Sequence, residues 1–457
     1  MSSIRIVALG GLDEDGKNLY CIDIDGRIII VNAGLKLPED NQYGIKYIVP
    51  DFNYLEENSD RIVGVILTHA HDDMMNGLGQ LLLKVDVPVY GPEMCRRVLK
   101  HILKPVDWDR LNYHVVGRNE QFKVGEFDVT SFALTHATPD AIGIAIETEN
   151  GQIVVAEQFV IDFDMHDRAF DSDISTIAEI GKKGVLALLM EASYAGNNFF
   201  TAPKHRVYEM VKPFFEDAKG RIIVTIYNQN YFRIKEIINL AREFKRSVFF
   251  YDERLKTRLK DMDELGYYSV PRSMEVPREK FSNDIEDIVI LVTETGGHIF
   301  NLMNRIATGE DETIELKDSD TIIIASPVVS GTEKRASAME NELYKDGVTI
   351  HKLSGRDVLS QGHDLAQLDI GRSKLLQDHA ELFGRHASRD MIAEQYRPDL
   401  AHPGAIVHLC LFFHSSLCFS PRPSVSDTFK SIVPASCAAA RLHKYVSVLT
   451  CRREKHV

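Results

Sequence analysis

Cysteine is scarce in the main body of this 457-residue chain, and so are long apolar runs and basic charge. Only Cys21 and Cys95 fall within the first 360 residues. With no secretory signal ahead of them they read as reduced thiols, which excludes a disulfide-held scaffold. The other four, Cys410, Cys418, Cys437 and Cys451, crowd the last hundred residues at spacings that fit no zinc-finger pattern. No segment approaches the ~20 apolar residues of a membrane span. Residues 1–11 run straight into strand-like sequence and hold no signal-peptide core. The expectation is a cytoplasmic protein with no membrane partner. Lys and Arg total 53 against 67 Asp and Glu, a net charge of −14. The deficit lies in residues 1–360, with 41 basic and 58 acidic side chains; the remainder has 12 and 9. Such an acidic body argues against broad nucleic-acid binding by phosphate neutralisation, though a basic channel or a basic partner stays open.

What is present describes an ordinary globular protein: 44% hydrophobic and 26% charged residues. The length suits two or three domains. The first 150 residues read as β-rich, with candidate strands at 5–9, 19–24, 27–31, 63–67, 127–133, 142–148 and 152–155. Asp25-Gly26 and Glu149-Asn150-Gly151 are hairpin turn signals. Helical periodicity falls at 77–84 and 93–103. From about residue 204 strands and helices alternate: helices at 207–215 and 233–244, strands at 221–226, 247–251, 288–293 and 321–325. That alternation implies a parallel sheet inserted as a second α/β domain over roughly 200–345. After about 359 the order is lost. Residues 361–399 could form helices, but 409–413 and the Ser/Pro/Cys/Arg mixture beyond show no sustained period. Eight of the 17 histidines lie in this tail. The chain has no internal repeat and no low-complexity tract.

The chemistry concentrates where the apolar run 62–67 breaks into Thr68-His69-Ala70-His71-Asp72-Asp73. A buried strand that ends in imidazoles and carboxylates can point them into a cleft. Neutral imidazole nitrogen and carboxylate oxygen are good zinc donors, so His69, His71 and Asp73 are candidate ligands; the bland alternative is a polar turn. His136, in Leu134-Thr135-His136-Ala137, also follows an apolar strand and is the next candidate; a lone histidine there is more often structural.

These stretches resemble the metallo-β-lactamase fold of the β-CASP group, and within it the ribonuclease J family, most like its degenerate second-paralogue type. The resemblance rests on Ala8-Leu9-Gly10-Gly11 with Gly16-Lys17-Asn18, Asn32-Ala33-Gly34-Leu35 and Ile48-Val49-Pro50-Asp51. Leu67-Thr68-His69-Ala70-His71, Val87-Pro88-Val89-Tyr90-Gly91, Lys219-Gly220-Arg221-Ile222 and residues 318–334 follow in the same order. It covers roughly 4–358. It implies an αββα sandwich over 1–200 with a β-CASP α/β domain inserted over 201–345. Residues 346–360 would begin the return to the first domain, and 361–457 would be an atypical tail without the family's C-terminal domain. A shifted reading frame or chimeric end would explain that tail, and would leave the first domain's sheets without their closing strands.

The resemblance also implies a two-metal centre, and here its signature is incomplete. His69, His71, Asp73 and His136 match the metal motif, with Asp73 the candidate catalytic carboxylate. Met74 stands where a further histidine belongs and Gln158 where the bridging aspartate belongs. Asn32 replaces a supporting aspartate, and Phe232 a histidine ahead of Arg233-Ile234. The acidic motif falls on Glu191-Ala192-Ser193, and the segment Thr293-Glu294-Thr295-Gly296-Gly297-His298 lacks the usual glycine-rich pattern. The last expected ligand has candidates only in His363 and His386. Without a bridging carboxylate two cations are poorly held together, and a thioether is a poor partner for zinc beside carboxylates. At most one zinc ion is expected. Three functions follow: a weak or inactive subunit in RNA processing and mRNA decay that pairs with an active ribonuclease J paralogue, an active metal-dependent ribonuclease, or a single-metal hydrolase of another ester. RNA is the implied substrate or ligand. Lys204, Arg206 and Arg233 could line its path, although solvated surface is the commoner role for any one of them.

Overall fold

The computed structural model describes residues 2–353 apart from 13, 15, 39–41, 43, 192–204, 329 and 330, together with the backbone of two later strands, 409–413 and 447–451. The first sheet contains β1 (Ile4–Gly10), β2 (Leu19–Ile24), β3 (Arg27–Val31), β4 (Ile62–Ile66), β5 (Val89–Gly91) and β6 (Tyr113–Val115), side by side in that order. The second contains β7 (Gln121–Val124), β8 (Phe127–Ala133), β9 (Ile142–Ile146), β10 (Gln152–Ala156) and β11 (Val185–Glu191). The β-branched side chains of Ile6, Ile22, Ile29, Val129, Ile144 and Val155 meet between the two sheets. Helices close the outer faces: Leu78, Leu81, Met94 and Leu99 pack against the first sheet, and Ile177 and Ile180 against the second. This is the expected αββα sandwich.

The turn at Asp25-Gly26 forms as expected. Ile24 pairs with Arg27, and both turn residues have positive φ, 51° and 88°. That is the two-residue loop whose twist suits a hairpin.

The inserted layer is β12 (Ile222–Tyr227), β13 (Ser247–Phe250), β14 (Ile288–Glu294), β15 (Thr321–Ile324) and β16 (Thr349–Lys352), in the order β13-β14-β12-β15-β16. Every pairing is parallel, as strands joined by helical crossovers require. The helix Glu333–Leu343 returns the chain so that β16 adds to the edge of this sheet. The layer therefore runs past residue 345, into the stretch read above as the start of the return. At its base Arg221 and Asp320, both fully buried, make a bidentate pair at 2.8 and 2.5 Å.

Two further strands come from the tail. β17 (Leu409–Phe413) pairs in parallel with β11, and β18 (Ser447–Cys451) pairs antiparallel with β1. Both sheets of the first domain thus gain a closing strand from residues where no period was legible. Residues 361–399, including His363 and His386, lie outside the described residues. Among the described residues no helix is long and apolar enough to cross a membrane.

Candidate metal centre

Buried strand β4 passes through Leu67 and Thr68 into His69 and His71, so both imidazoles emerge at the strand's C-terminal end. His71 has extended backbone and opens the short helix Asp72–Met75. β8 of the facing sheet delivers His136, and the turn after β10 delivers Gln158. The ends of two sheets therefore converge on one place. All three imidazoles are buried, with ring centroids 4.2, 4.6 and 4.9 Å apart. Each offers a nitrogen within 4.8 Å of the others.

The hydrogen bonds around His69 run in one direction. Asn32 Nδ2 donates to Glu157 Oε2 at 2.9 Å, which leaves Asn32 Oδ1 as an acceptor for both the Thr68 amide (3.0 Å) and Thr68 Oγ1 (3.1 Å). With its proton given to Asn32, Thr68 Oγ1 accepts from His69 Nδ1 at 3.0 Å. His69 therefore carries its proton on Nδ1 and presents a lone pair at Nε2. Burial, reinforced by His71, holds its pKa well below the usual value, so the ring is neutral. Facing that lone pair at 3.3 Å is Gln158 Oε1, also an acceptor, because Gln158 Nε2 donates to Asp73 Oδ2 at 3.2 Å. His71 Nδ1 lies 3.2 Å from the same oxygen. Two acceptors face each other where a cation would satisfy both. The spacing also fits: zinc bonds of about 2.0–2.1 Å give tetrahedral ligand separations of about 3.3–3.4 Å. One ion thus fits His69, His71 and His136, with Gln158 Oε1 as a neutral fourth donor. Such an ion supplies Lewis-acid polarisation.

His136 is tuned by Thr138. The hydroxyl lies 3.1 Å from His136 Nδ1 and can accept its proton, which presents Nε2 as a donor to metal. The Thr138 amide, 3.0 Å from the same nitrogen, favours the opposite tautomer.

A second ion does not fit the expected residues. Met74 is buried, its Sδ accepts from Asn32 Nδ2 at 3.4 Å, and it lines the same small pocket as Asp73 and Gln158, where it offers only a thioether. Asp73 lies outside the group of three: its Oδ2 accepts from Asn18 Nδ2 (3.3 Å) as well as from Gln158, and its Oδ1 is 4.0 Å from His71 Nδ1. Gln158 has φ 44° and Asn32 φ 61°. The left-handed region suits short Asn and Asp better than Gln. The backbone at 158 thus keeps a shape suited to a shorter side chain than the one it carries.

The inserted domain touches both ligand loops. Gln229 Nε2 donates to Asp72 Oδ1 at 2.5 Å, and the Phe232 amide donates to the Ala137 carbonyl at 3.0 Å. Phe232 is buried between Phe170 and His205, with centroids 5.1 and 6.0 Å away, and His205 Nε2 lies 3.1 Å from Asp162 Oδ2. Of the basic residues considered for an RNA path, Arg233 is buried and donates to the Ala325 carbonyl, so it lines no path. Arg206 pairs with Asp162 at 3.1 Å, and Lys204 lies outside the described residues, as do Ala192 and Ser193. Glu191 ends β11 beside the site. Glu157 carried no signal in sequence. Burial first, then Asp73 and Glu191, push its pKa up to about 8.

The fold and site define a metallo-β-lactamase-type protein with an inserted β-CASP domain. Residues 27–156 match the family model for the β-lactamase superfamily domain, and residues 219–343 match that for the ribonuclease J β-CASP domain. Both domains are matched in order, so the chain is similar to the ribonuclease J family across both. Ribonuclease J 2 of Staphylococcus aureus (strain NCTC 8325 / PS 47) is 28% identical over 349 residues, 76% of this chain and 62% of that protein. Ribonuclease J 2 of Staphylococcus epidermidis (strain ATCC 35984) gives the same figures. The chain thus spans under two thirds of the length of these relatives. A crystal structure of a protein of unknown function from Enterococcus faecalis V583 shares the fold, with a TM-score of 0.52 at 14% identity, over 77% of this chain and 88% of that one.

Proposed function

We propose that this protein is a ribonuclease J-type component of RNA processing and mRNA decay, catalytically weak or inactive by itself, that binds RNA and acts beside an active paralogue. The observation that carries this reading is Gln158. Where the resemblance implies a bridging carboxylate, its neutral amide faces His69 and His71 with Oε1 at 3.3 and 3.2 Å and donates from Nε2 to Asp73. In-line phosphodiester hydrolysis by two metals needs both attacking and leaving oxygens stabilised by ions ~3.5–4 Å apart. This site offers an imidazole set for at most one zinc ion. Asp73, the candidate catalytic carboxylate, accepts from the amides of Asn18 and Gln158. The three imidazoles also support the second reading, a single-metal hydrolase of another ester.

The test is metal analysis of the purified protein beside decay of a 5′-monophosphorylated RNA, run with the chain alone, with an active paralogue and with both. The expected result is no more than one ion per chain, negligible decay alone and faster or altered decay by the pair. Two bound ions, with turnover lost in His71→Ala, would overturn the reading. Equal decay by chain and pair would do the same. Met74→His combined with Gln158→Asp is expected to raise the ion count to two.

A further inference from the structure

The three imidazoles are not held by the same part of the molecule. The loop after His71 is tied into the first domain by main-chain bonds: the carbonyls of Asp72, Asp73 and Met74 accept from the amides of Leu35, Asn18 and Ala33. Gln229 adds a side-chain contact there, at Asp72. The loop after His136 reaches into the inserted domain. The Phe232 amide, in the first turn of the helix Tyr231–Glu243, donates to the Ala137 carbonyl at 3.0 Å. Three residues further on, the Tyr267 hydroxyl donates to Asp140 Oδ2. Asp140 is buried, has φ 66° and also accepts from the Met94 amide of the first domain. Aspartate tolerates this left-handed backbone better than most residues, but the conformation persists only where contacts hold it. Tyr267 is itself firmly placed. The helix Glu253–Glu264 ends at Gly266, with φ 73°, and the Tyr267 amide donates back to the Met262 carbonyl at 2.8 Å, which closes the helix end.

We propose that Tyr267 is a positioning residue for His136: through Asp140, and together with the Phe232 amide, it holds the loop 136–140 so that the third imidazole faces His69 and His71. The first domain fixes two of the imidazoles, and the inserted domain decides whether the third joins them. Tyr267 contacts the carboxylate at the far end of the loop, so its effect on an ion passes through His136. The inference rests on the single-zinc part of the functional reading and not on its RNA part. It is judged by ion affinity, whereas that reading is judged by ion count and RNA decay.

The experiment uses the full chain stripped with chelator. Zinc affinity is read by competition with a chromophoric chelator, and the ligand set by the visible spectrum of Co²⁺ loaded in place of zinc. Tyr267→Phe, which keeps the ring and deletes the hydroxyl, should weaken zinc about tenfold and dim the tetrahedral Co²⁺ bands. Asp140→Gly suits the φ of 66° and removes the acceptor. It should act in the same direction, and it stands in if the first variant folds poorly. In a His136→Ala background, Tyr267→Phe should change zinc affinity by less than about twofold, the non-additivity of groups that act through one another. Glu264→Gln removes an ion pair with Arg97 (2.6 Å) across the same domain junction, remote from both ligand loops, and should leave zinc unchanged. The proposal falls if wild type binds no zinc, or if neither Tyr267→Phe nor Asp140→Gly weakens it. It also falls if Tyr267→Phe weakens zinc as much without His136, or if Glu264→Gln weakens it equally.

Discussion

On one side of Gln158 lie three imidazoles, two of which, His69 and His136, have threonine hydroxyls one or two residues away; on the other, carboxylates face neutral amides and one another. The first side is preorganised for a ligand it can hold as a neutral set. The second places carboxylates close enough to raise the pKa of Glu157. A two-metal centre needs both sides to share a bridging anion, and an amide at 158 divides them instead.

The contrast can be broken from the acidic side first, where the largest effect is expected. Glu157 in the folded protein has its pKa near 8 against an ordinary 4.5. In metal-stripped protein the folded state keeps a proton that the unfolded chain releases. Stability should fall as pH rises from about 4.5 to about 8, by several kcal/mol over the window. Urea unfolding across that range should show the slope in wild type and a flatter profile in Glu157→Gln. On the imidazole side, His136→Ala should weaken zinc at least about 100-fold, read by competition with a chromophoric chelator. Asn32→Ala strands the Thr68 amide and Glu157 Oε2 together and should cost about 1–3 kcal/mol of unfolding free energy. Thr138→Val leaves His136 Nδ1 facing only the backbone N–H, which favours the wrong tautomer. Zinc should weaken about 10-fold, with the unfolding midpoint nearly unchanged.

The imidazoles were legible because each follows an apolar run that ends abruptly in polar residues. The hairpin at Asp25-Gly26 was legible because only a few residue types accept positive φ twice in succession. The parallel sheet followed from strand–helix alternation. Strands β5 and β6 were not legible: three residues each are too few to show a period. β17 and β18 were hidden because their partners are hundreds of residues away, and local pattern carries no such pairing. The same distance hid Glu157 as part of the site, since its meaning depends on Asn32, 125 residues earlier. Thr138 looked like loop filler until its hydroxyl was placed against His136.

The loop that carries Asp72, Asp73 and Met74 is anchored almost wholly through the main chain. Its carbonyls at 72, 73 and 74 accept from the amides of Leu35, Asn18 and Ala33 at 3.0, 3.0 and 2.7 Å, and the Gly77 amide donates to the Ala33 carbonyl at 2.8 Å. A β-carbon at Gly34 would lie 1.6 Å from the Asp73 carbonyl oxygen, so only glycine allows so close a stack. Side chains at 73 and 74 contribute little to that anchorage. Reactivity at this site is consequently decoupled from foldability: ligands can be exchanged, lost or restored by single substitutions while the loop keeps its course. A chain of this kind is one or two codons from a different ligand set, and its scaffold would not register the change.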